Sequence, residues 1–131
     1  MSRSGYSDDL DNWPMIKWRG MVASAIRGKR GQQFLKDLLA ALDAMPEKRL
    51  IRDYLEKDGQ VCAIGCLGRQ RGIDMSEINY EEPSEVANTF NIATCLAAEV
   101  EFENDQDFSY CKESPEETWT RMRAWVAENI K

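Results

Sequence analysis

Histidine is absent from this chain of 131 residues. Imidazole activates serine and cysteine nucleophiles, is the commonest metal ligand and titrates near neutral pH. Its absence excludes Ser-His-Asp and Cys-His catalysis, and it excludes zinc sites that need a histidine ligand. Any catalysis would therefore depend on carboxylates, thiols, lysines or a bound cofactor.

Cysteine is scarce, and its four residues, Cys62, Cys66, Cys95 and Cys111, are separated by 4, 29 and 16 positions. A zinc site of the cysteine type normally shows two close pairs, and only one pair is close here. Cys62 and Cys66 stand one helical turn apart among small apolar residues, which is typical of buried structural thiols. We therefore expect neither a metal nor a cofactor.

Long apolar runs are also missing, and the longest are far too short to cross a bilayer. Residues 1–9 are polar and lack the apolar core of a secretory signal, so we expect a cytoplasmic protein with reduced thiols. The length of 131 residues is in the usual range for one domain, which we place at 1–131. Within it, residues 1–12 are expected to form a flexible N-terminal segment.

Charge is distributed unequally along the chain. Residues 1–73 carry a net charge of +4, whereas residues 74–131 carry −10. Such asymmetry indicates a binding surface before it indicates a reaction. The candidate acidic partner-binding residues are Glu99, Glu101, Glu103, Asp105 and Asp107, and the candidate basic ones, for a partner or for phosphate, are Arg27, Lys29 and Arg30. The alternative is that both groups are solvated faces without a partner.

Hydrophobic periodicity predicts a mainly α protein, a compact single-domain bundle of about five helices with room for one short β-hairpin near residues 50–61. Residues 13–26 have a helical stripe that Gly28 ends, and residues 34–45 have one that Pro46 ends. Ser114 and Glu117 form a capping box for a last helix. Residues 50–55 fit either a helix or a strand, and residues 99–103 favour a helix over an edge strand.

A helix-turn-helix pattern is suggested by residues 86–96. A recognition helix must approach phosphates, and here the second helix continues through Glu99, Glu101 and Glu103. Three carboxylates would repel a polyanion. A plain helical corner is therefore the favoured interpretation.

The chain resembles a family of small proteins from tailed phages and prophages that has no assigned activity. The segments that carry the resemblance are Met1-Ser2-Arg3-Ser4-Gly5-Tyr6, the stretch from Trp18-Arg19-Gly20 to Arg27-Gly28-Lys29-Arg30-Gly31, and Arg123-Ala124-Trp125-Val126. A looser similarity to other small phage and bacterial proteins covers Asp58-Gly59, Cys62-Ala63-Ile64-Gly65-Cys66-Leu67, Asn104-Asp105 and Ser114 with Glu117. These resemblances imply phage context and architecture only. If the chain is phage-encoded, the cytoplasm expected above is that of the host cell.

The favoured hypothesis is a phage accessory protein that binds a host or phage protein, through its acidic half or its basic loop. The first alternative is nucleic-acid binding by the loop of Arg27, Lys29 and Arg30. Further cations that would support this alternative are Lys48, Arg49, Arg52, Arg69 and Arg71. The sequence pI near 4.8 counts against it, and imitation of DNA by the acidic half has no supporting motif.

The second alternative is a small enzyme. Its site would lie around Asn104 and Asp105, with Asp58 and the Cys62 helix nearby, and a buried aspartate there would serve as a general base. Against this, an Asn-Asp pair at the end of a helix most often caps backbone groups and starts a turn. The sequence therefore favours a binding protein over an enzyme.

Overall fold

A computed structural model describes residues 13–106 and 113–131. The expectation for residues 1–12 and the candidate residue Asp107 lie outside these ranges, as does Cys111. The helices are α1 (Trp13–Arg27), α2 (Lys29–Ala44), α3 (Ala63–Gln70), α4 (Pro83–Phe90), α5 (Thr94–Asn104) and α6 (Pro115–Asn129), and the strands are β1 (Glu56–Lys57) and β2 (Gln60–Val61). The predicted mainly helical fold with one hairpin is confirmed.

The hairpin is held by a tight turn. Strands β1 and β2 are antiparallel, with Glu56 opposite Val61 and Lys57 opposite Gln60. The two residues of the turn, Asp58 and Gly59, have φ of 54° and 80°. Positive φ at both central positions is the requirement of a type I′ turn, which matches the twist of paired strands. The sequence Asp-Gly satisfies it at low steric cost.

Residues 50–55, for which the sequence left helix and strand open, adopt neither. This segment is irregular, with bends and a left-handed φ of 66° at Asp53, and it is fixed by bonds to distant backbone. The amide of Leu50 donates to the Pro115 carbonyl at 3.0 Å, and that of Ile51 donates to the Val61 carbonyl at 2.9 Å. The segment therefore joins the start of α6 to the end of β2.

The junction of α1 and α2 is shorter than the predicted loop. Only Gly28 separates the two helices, and Gly31 already lies inside α2. A Cβ atom at Gly31 would stand 1.9 Å from the Ala25 carbonyl oxygen, so α2 crosses α1 at backbone distance. The basic residues Arg27, Lys29 and Arg30 consequently lie on helix ends rather than in a flexible loop.

Helix α5 lies at the centre of the fold. It contacts α1, α3, α4 and α6, and its residues from Cys95 to Glu101 are all buried. It follows α4 after a corner at Asn91, whose φ of 56° is left-handed. A recognition helix must expose one face to a DNA groove. The burial of α5 excludes that role, and the edge-strand alternative for residues 99–103 is wrong.

The last helix begins as predicted. The Ser114 side chain accepts from the Glu117 amide, and the Glu117 carboxylate accepts from the Ser114 amide, which completes the capping box. Met122 and Val126 of this helix are fully buried in the core. None of the helices in residues 13–106 and 113–131 has the length and apolar character needed to cross a membrane.

Candidate functional site

The candidate acidic residues do not form one surface. Glu99 and Glu101 are only 4% and 1% exposed, and Glu103 and Asp105 are half-buried. Residues two positions apart on a helix point about 200° apart, so Glu99 and Glu101 face opposite sides of α5. Because α5 is enclosed by other helices, both sides are interior. The prediction of an exposed acidic patch here is therefore wrong for Glu99 and Glu101.

On one side of α5, Glu99 forms part of a groove between α1 and α6. Trp18 Nε1 donates to its carboxylate at 3.4 Å. The groove holds ≈ 340 Å³, and the residues that line it are Arg19, Val22, Ala23, Ile26, Arg27, Glu99, Trp125, Asn129 and Lys131. Four of these residues are apolar and three are cationic, and the polar remainder is Asn129 and the buried Glu99.

The three candidate basic residues separate at the α1–α2 junction. Arg27 lines the groove together with Arg19, which the sequence analysis did not select. Arg30 instead donates to the Asn91 side chain at 3.4 Å, at the α4–α5 corner. Lys29 is exposed at the first residue of α2. Among the described residues, no ion pair involves Arg19, Arg27 or Lys29.

The other cations proposed to support phosphate binding are already occupied. Arg49, Arg52, Arg69 and Arg71 pair with Glu116, Glu113, Glu56 and Asp37 respectively. Lys48 donates to the carbonyls of Asp43 and Met45. The four arginines are therefore paired with carboxylates, and Lys48 is engaged by backbone carbonyls. Among the described residues, Arg19, Arg27 and Lys29 form a group of neighbouring exposed cations that no ion pair occupies.

On the opposite side of α5, Asn104 bridges two distant segments. Its amide oxygen accepts from the Ala63 amide at 3.0 Å, and its amide nitrogen donates to the Ile51 carbonyl at 2.9 Å. Asn104 is 1% exposed. Both ends of the side chain are therefore used to fix the first residue of α3 and the segment before β1, which is a structural role.

Next to this bridge lies a cluster of acidic and weakly acidic groups. Asp105 accepts from the amide of Asp53 at 3.2 Å and from the hydroxyl of Tyr80. The side chains of Cys62 and Glu101 are close enough to act electrostatically on Tyr80. Asn104 and Asp105 thus lie beside the Cys62 helix, as the enzyme alternative requires, but Asp58 lies apart, in the exposed hairpin turn.

Three groups of this cluster, Cys62, Tyr80 and Glu101, have raised pKa values. Burial raises the pKa of the Cys62 thiol to about 12, although the Gly65 amide donates to its sulfur at 3.3 Å. Burial, with the charge of Asp105, raises the pKa of Glu101 to about 8. The pKa of Tyr80 is raised by burial and by Asp105. At neutral pH the thiol and Glu101 are therefore protonated, so Cys62 is not an activated nucleophile.

Sequence reasoning missed the contribution of Tyr80 to this cluster and that of Trp125 to the groove. Neither residue has a local sequence signal for its role, because each partner lies on a different element. Comparisons with family models, with curated proteins and with solved structures gave no significant match.

Proposed function

We propose that this protein is a phage-type accessory protein that acts by binding an acidic segment of another protein in the groove between α1 and α6. The observation that carries the proposal is the combination of Arg19 and Arg27, which have no acidic partner among the described residues, with apolar walls that include Val22 and Trp125. The apolar walls can bind an apolar side chain of the partner, and the cationic rim can pair with carboxylates on either side of it.

A protein partner is better supported than nucleic acid. The net charge of the whole chain is −6, and four of the arginines expected to assist phosphate binding are paired with carboxylates. Nonspecific nucleic-acid binding depends on many phosphate contacts by uncommitted cations. A short acidic peptide requires only a few such contacts, so a small cationic rim suffices for it.

Binding is also better supported than catalysis around Asn104 and Asp105. Asn104 has both ends of its amide engaged by backbone groups, and Cys62 is enclosed and protonated. A catalytic group must reach its substrate within hydrogen-bond distance. These two residues instead hold the fold together.

The proposal is tested by measuring the affinity of two labelled peptides with the same number of glutamates. One peptide carries a central leucine, and the other carries a serine at that position. We expect the leucine peptide to bind more tightly, because only its side chain gains from the apolar walls. Affinity should also fall as salt rises, because the glutamates interact with exposed cations.

The matched variants are Arg19→Glu with Arg27→Glu, and Lys36→Glu with Lys57→Glu. Both change the charge equally, and the second pair lies on exposed positions that do not line the groove. The first pair should weaken peptide binding at least tenfold, and the second should leave it within about twofold. Equal effects of the two pairs would contradict a specific groove.

The affinity for a single-stranded oligonucleotide of equal charge tests the nucleic-acid alternative. Tighter binding of the oligonucleotide than of the leucine peptide, abolished by reversal of Arg27, Lys29 and Arg30, would replace our proposal with the nucleic-acid alternative. A pull-down from host lysate with and without nuclease then identifies the partner. Retention of one protein after nuclease treatment, lost in the Arg19 and Arg27 variant, is the expected result.

A further inference from the structure

Glu101 is a buried carboxyl group without a hydrogen-bond partner. Its side chain is 1% exposed, and neither of its oxygens bonds to any described residue. Buried polar groups are almost always satisfied, and an ionised carboxylate without a partner is very costly. The absence of a donor for either oxygen therefore requires a physical explanation.

The groups that face Glu101 do not compensate a negative charge. Asp105 stands one helical turn away and carries its own carboxylate. The Cys62 thiol faces Glu101 from the start of α3. The Tyr80 hydroxyl faces it from the loop before α4 and already donates its hydrogen bond to Asp105. Each of these groups is neutral or negative, so ionised Glu101 would be both unpaired and repelled.

The cation that α6 brings to this end of α5 is also committed. Arg121 donates to the last carbonyls of α5 and pairs with Glu113 at 2.7 Å. A metal ion is the other means of satisfying buried carboxylates, but no group of three potential metal ligands lies together in residues 13–106 and 113–131. Binding of a proton removes the charge of Glu101 without requiring a cationic partner.

We propose that Glu101, Asp105 and Tyr80 form a proton-dependent lock, in which Glu101 binds a proton while the end of α5 is docked on residues 51–63 and releases it when this region opens. Docking is the state described above, in which Asn104 holds the Ala63 amide and Asp105 holds the Asp53 amide. Opening exposes Glu101 to water, where its carboxyl ionises. Rising pH therefore favours opening of this region.

The direction and range of the effect follow from linkage. The usual pKa of a glutamate is 4.5, and in the docked state the pKa of Glu101 is about 8. The open state releases the proton throughout this interval, so the opening equilibrium should increase by up to tenfold per pH unit between about 4.5 and 8. Above that interval neither state binds the proton, and the pH dependence should end.

Amide hydrogen exchange of the full chain tests the lock. We expect the protection of the Ala63 and Asp53 amides, corrected for the intrinsic rate, to fall about 400-fold between pH 5 and pH 8. The amide of Gln32, which bonds to Gly28 in a separate helix junction, serves as an internal reference and should change much less. An equal loss at Gln32 would mean that the proton is released only on global unfolding, which would overturn the proposal.

The variant Glu101→Gln removes the titration while preserving side-chain size. Its protection at Ala63 and Asp53 should be independent of pH over the same range, whereas Glu81→Gln, an exposed residue of the same region, should behave as the unmodified protein. If Glu101→Gln does not fold, carbon-13 NMR of the glutamate carboxyl groups in the unmodified protein measures the pKa of Glu101 directly. A buried carboxyl that titrates near its usual pKa, or a cluster that binds added calcium or manganese, would overturn the proposal.

Discussion

Arg121 and Glu113 pair through Nε and Oε2 at 2.7 Å and join the middle of α6 to the residue before its N-cap. Glu113 also binds Arg52 at 3.2 Å and accepts from the Thr118 hydroxyl at 2.8 Å. Arg121 in turn donates to the Asn104 carbonyl at 3.3 Å. One carboxylate therefore links the segment before β1, helix α6 and the end of α5 next to the buried cluster.

We expect Glu113→Gln to reduce stability at neutral pH by up to about 3 kcal/mol. The hydrogen bonds from Arg121 lower the pKa of Glu113 to about 2 from 4.5. Because the folded-state pKa is the lower one, this stabilisation is complete above pH 4.5 and is lost as the pH falls toward 2. Urea unfolding measures the full stabilisation by Glu113 at pH 7 and its loss at pH 2.

The control for this experiment is Glu128→Gln, which alters an exposed carboxyl near the end of α6. It should change stability by less than about 0.5 kcal/mol at either pH. A difference between Glu113→Gln and the unmodified protein that persists at pH 2 would show that packing, rather than the ion pairs, accounts for the loss.

The second prediction concerns Asn104. Its replacement by alanine leaves the Ala63 amide and the Ile51 carbonyl without their partner in a buried site. We expect a loss of about 2–4 kcal/mol, since each unsatisfied buried group costs about 1–3 kcal/mol. Thermal unfolding followed by circular dichroism measures it. The exposed Asn88→Ala on α4 is the control and should be nearly neutral, and a similar loss in both variants would contradict the bridging role.

The third prediction compares two helical glycines. A Cβ atom at Gly31 would lie 1.9 Å from the Ala25 carbonyl oxygen, whereas one at Gly20 of α1 would contact nothing within 4 Å. Gly20→Ala should therefore stabilise the protein by about 0.5–1 kcal/mol through reduced unfolded-state entropy. Gly31→Ala should destabilise it by more than about 2 kcal/mol, because backbone must move apart. We expect urea unfolding to show a higher free energy of unfolding for Gly20→Ala and a lower one for Gly31→Ala.

Much of the fold could be predicted because its signals are local. Ser114 and Glu117 specify a helix start, Asp58 and Gly59 specify a hairpin turn, and Gly28 ends α1, each within a few residues. The helical stripe of residues 34–45 identified the core of α2. Met21 is an exception, since it fits the stripe of α1 but is 55% exposed. Periodicity predicts which face of a helix is buried, but the packing of neighbouring helices determines how much of that face they cover.

The site could not be predicted to the same extent, because burial of charged residues depends on tertiary structure. Glu99 and Glu101 have the composition of a solvated helix, and only the position of α5 among four other helices reveals that they are interior. The groove likewise joins Arg27 to Trp125, residues that are distant in sequence. Contacts between residues so far apart in sequence produce no pattern in local residue spacing. The acidic and basic candidates could therefore be selected only by their charge.

The last prediction concerns thiol reactivity. We expect Cys62 and Cys66 to react with iodoacetamide at pH 8 at least 100-fold more slowly in the folded protein than in urea, because the thiolate is the reactive form. Burial raises their pKa to about 12 and about 11 respectively. Cys66 lines an open groove of ≈ 540 Å³, so it should react before Cys62. Timed labelling followed by peptide mass spectrometry measures each rate separately.

The order of labelling bears directly on function. If Cys62 remains the slower thiol, the cluster around Asp105 is closed to reagents in the folded state, as the proton-dependent lock requires. Its labelling should then accelerate from pH 5 to pH 8 by more than the increase in thiolate expected for its pKa, and Glu101→Gln should remove the excess. Rapid labelling of Cys62 at pH 6 would instead reveal an activated thiol, and it would restore the enzyme hypothesis for this site.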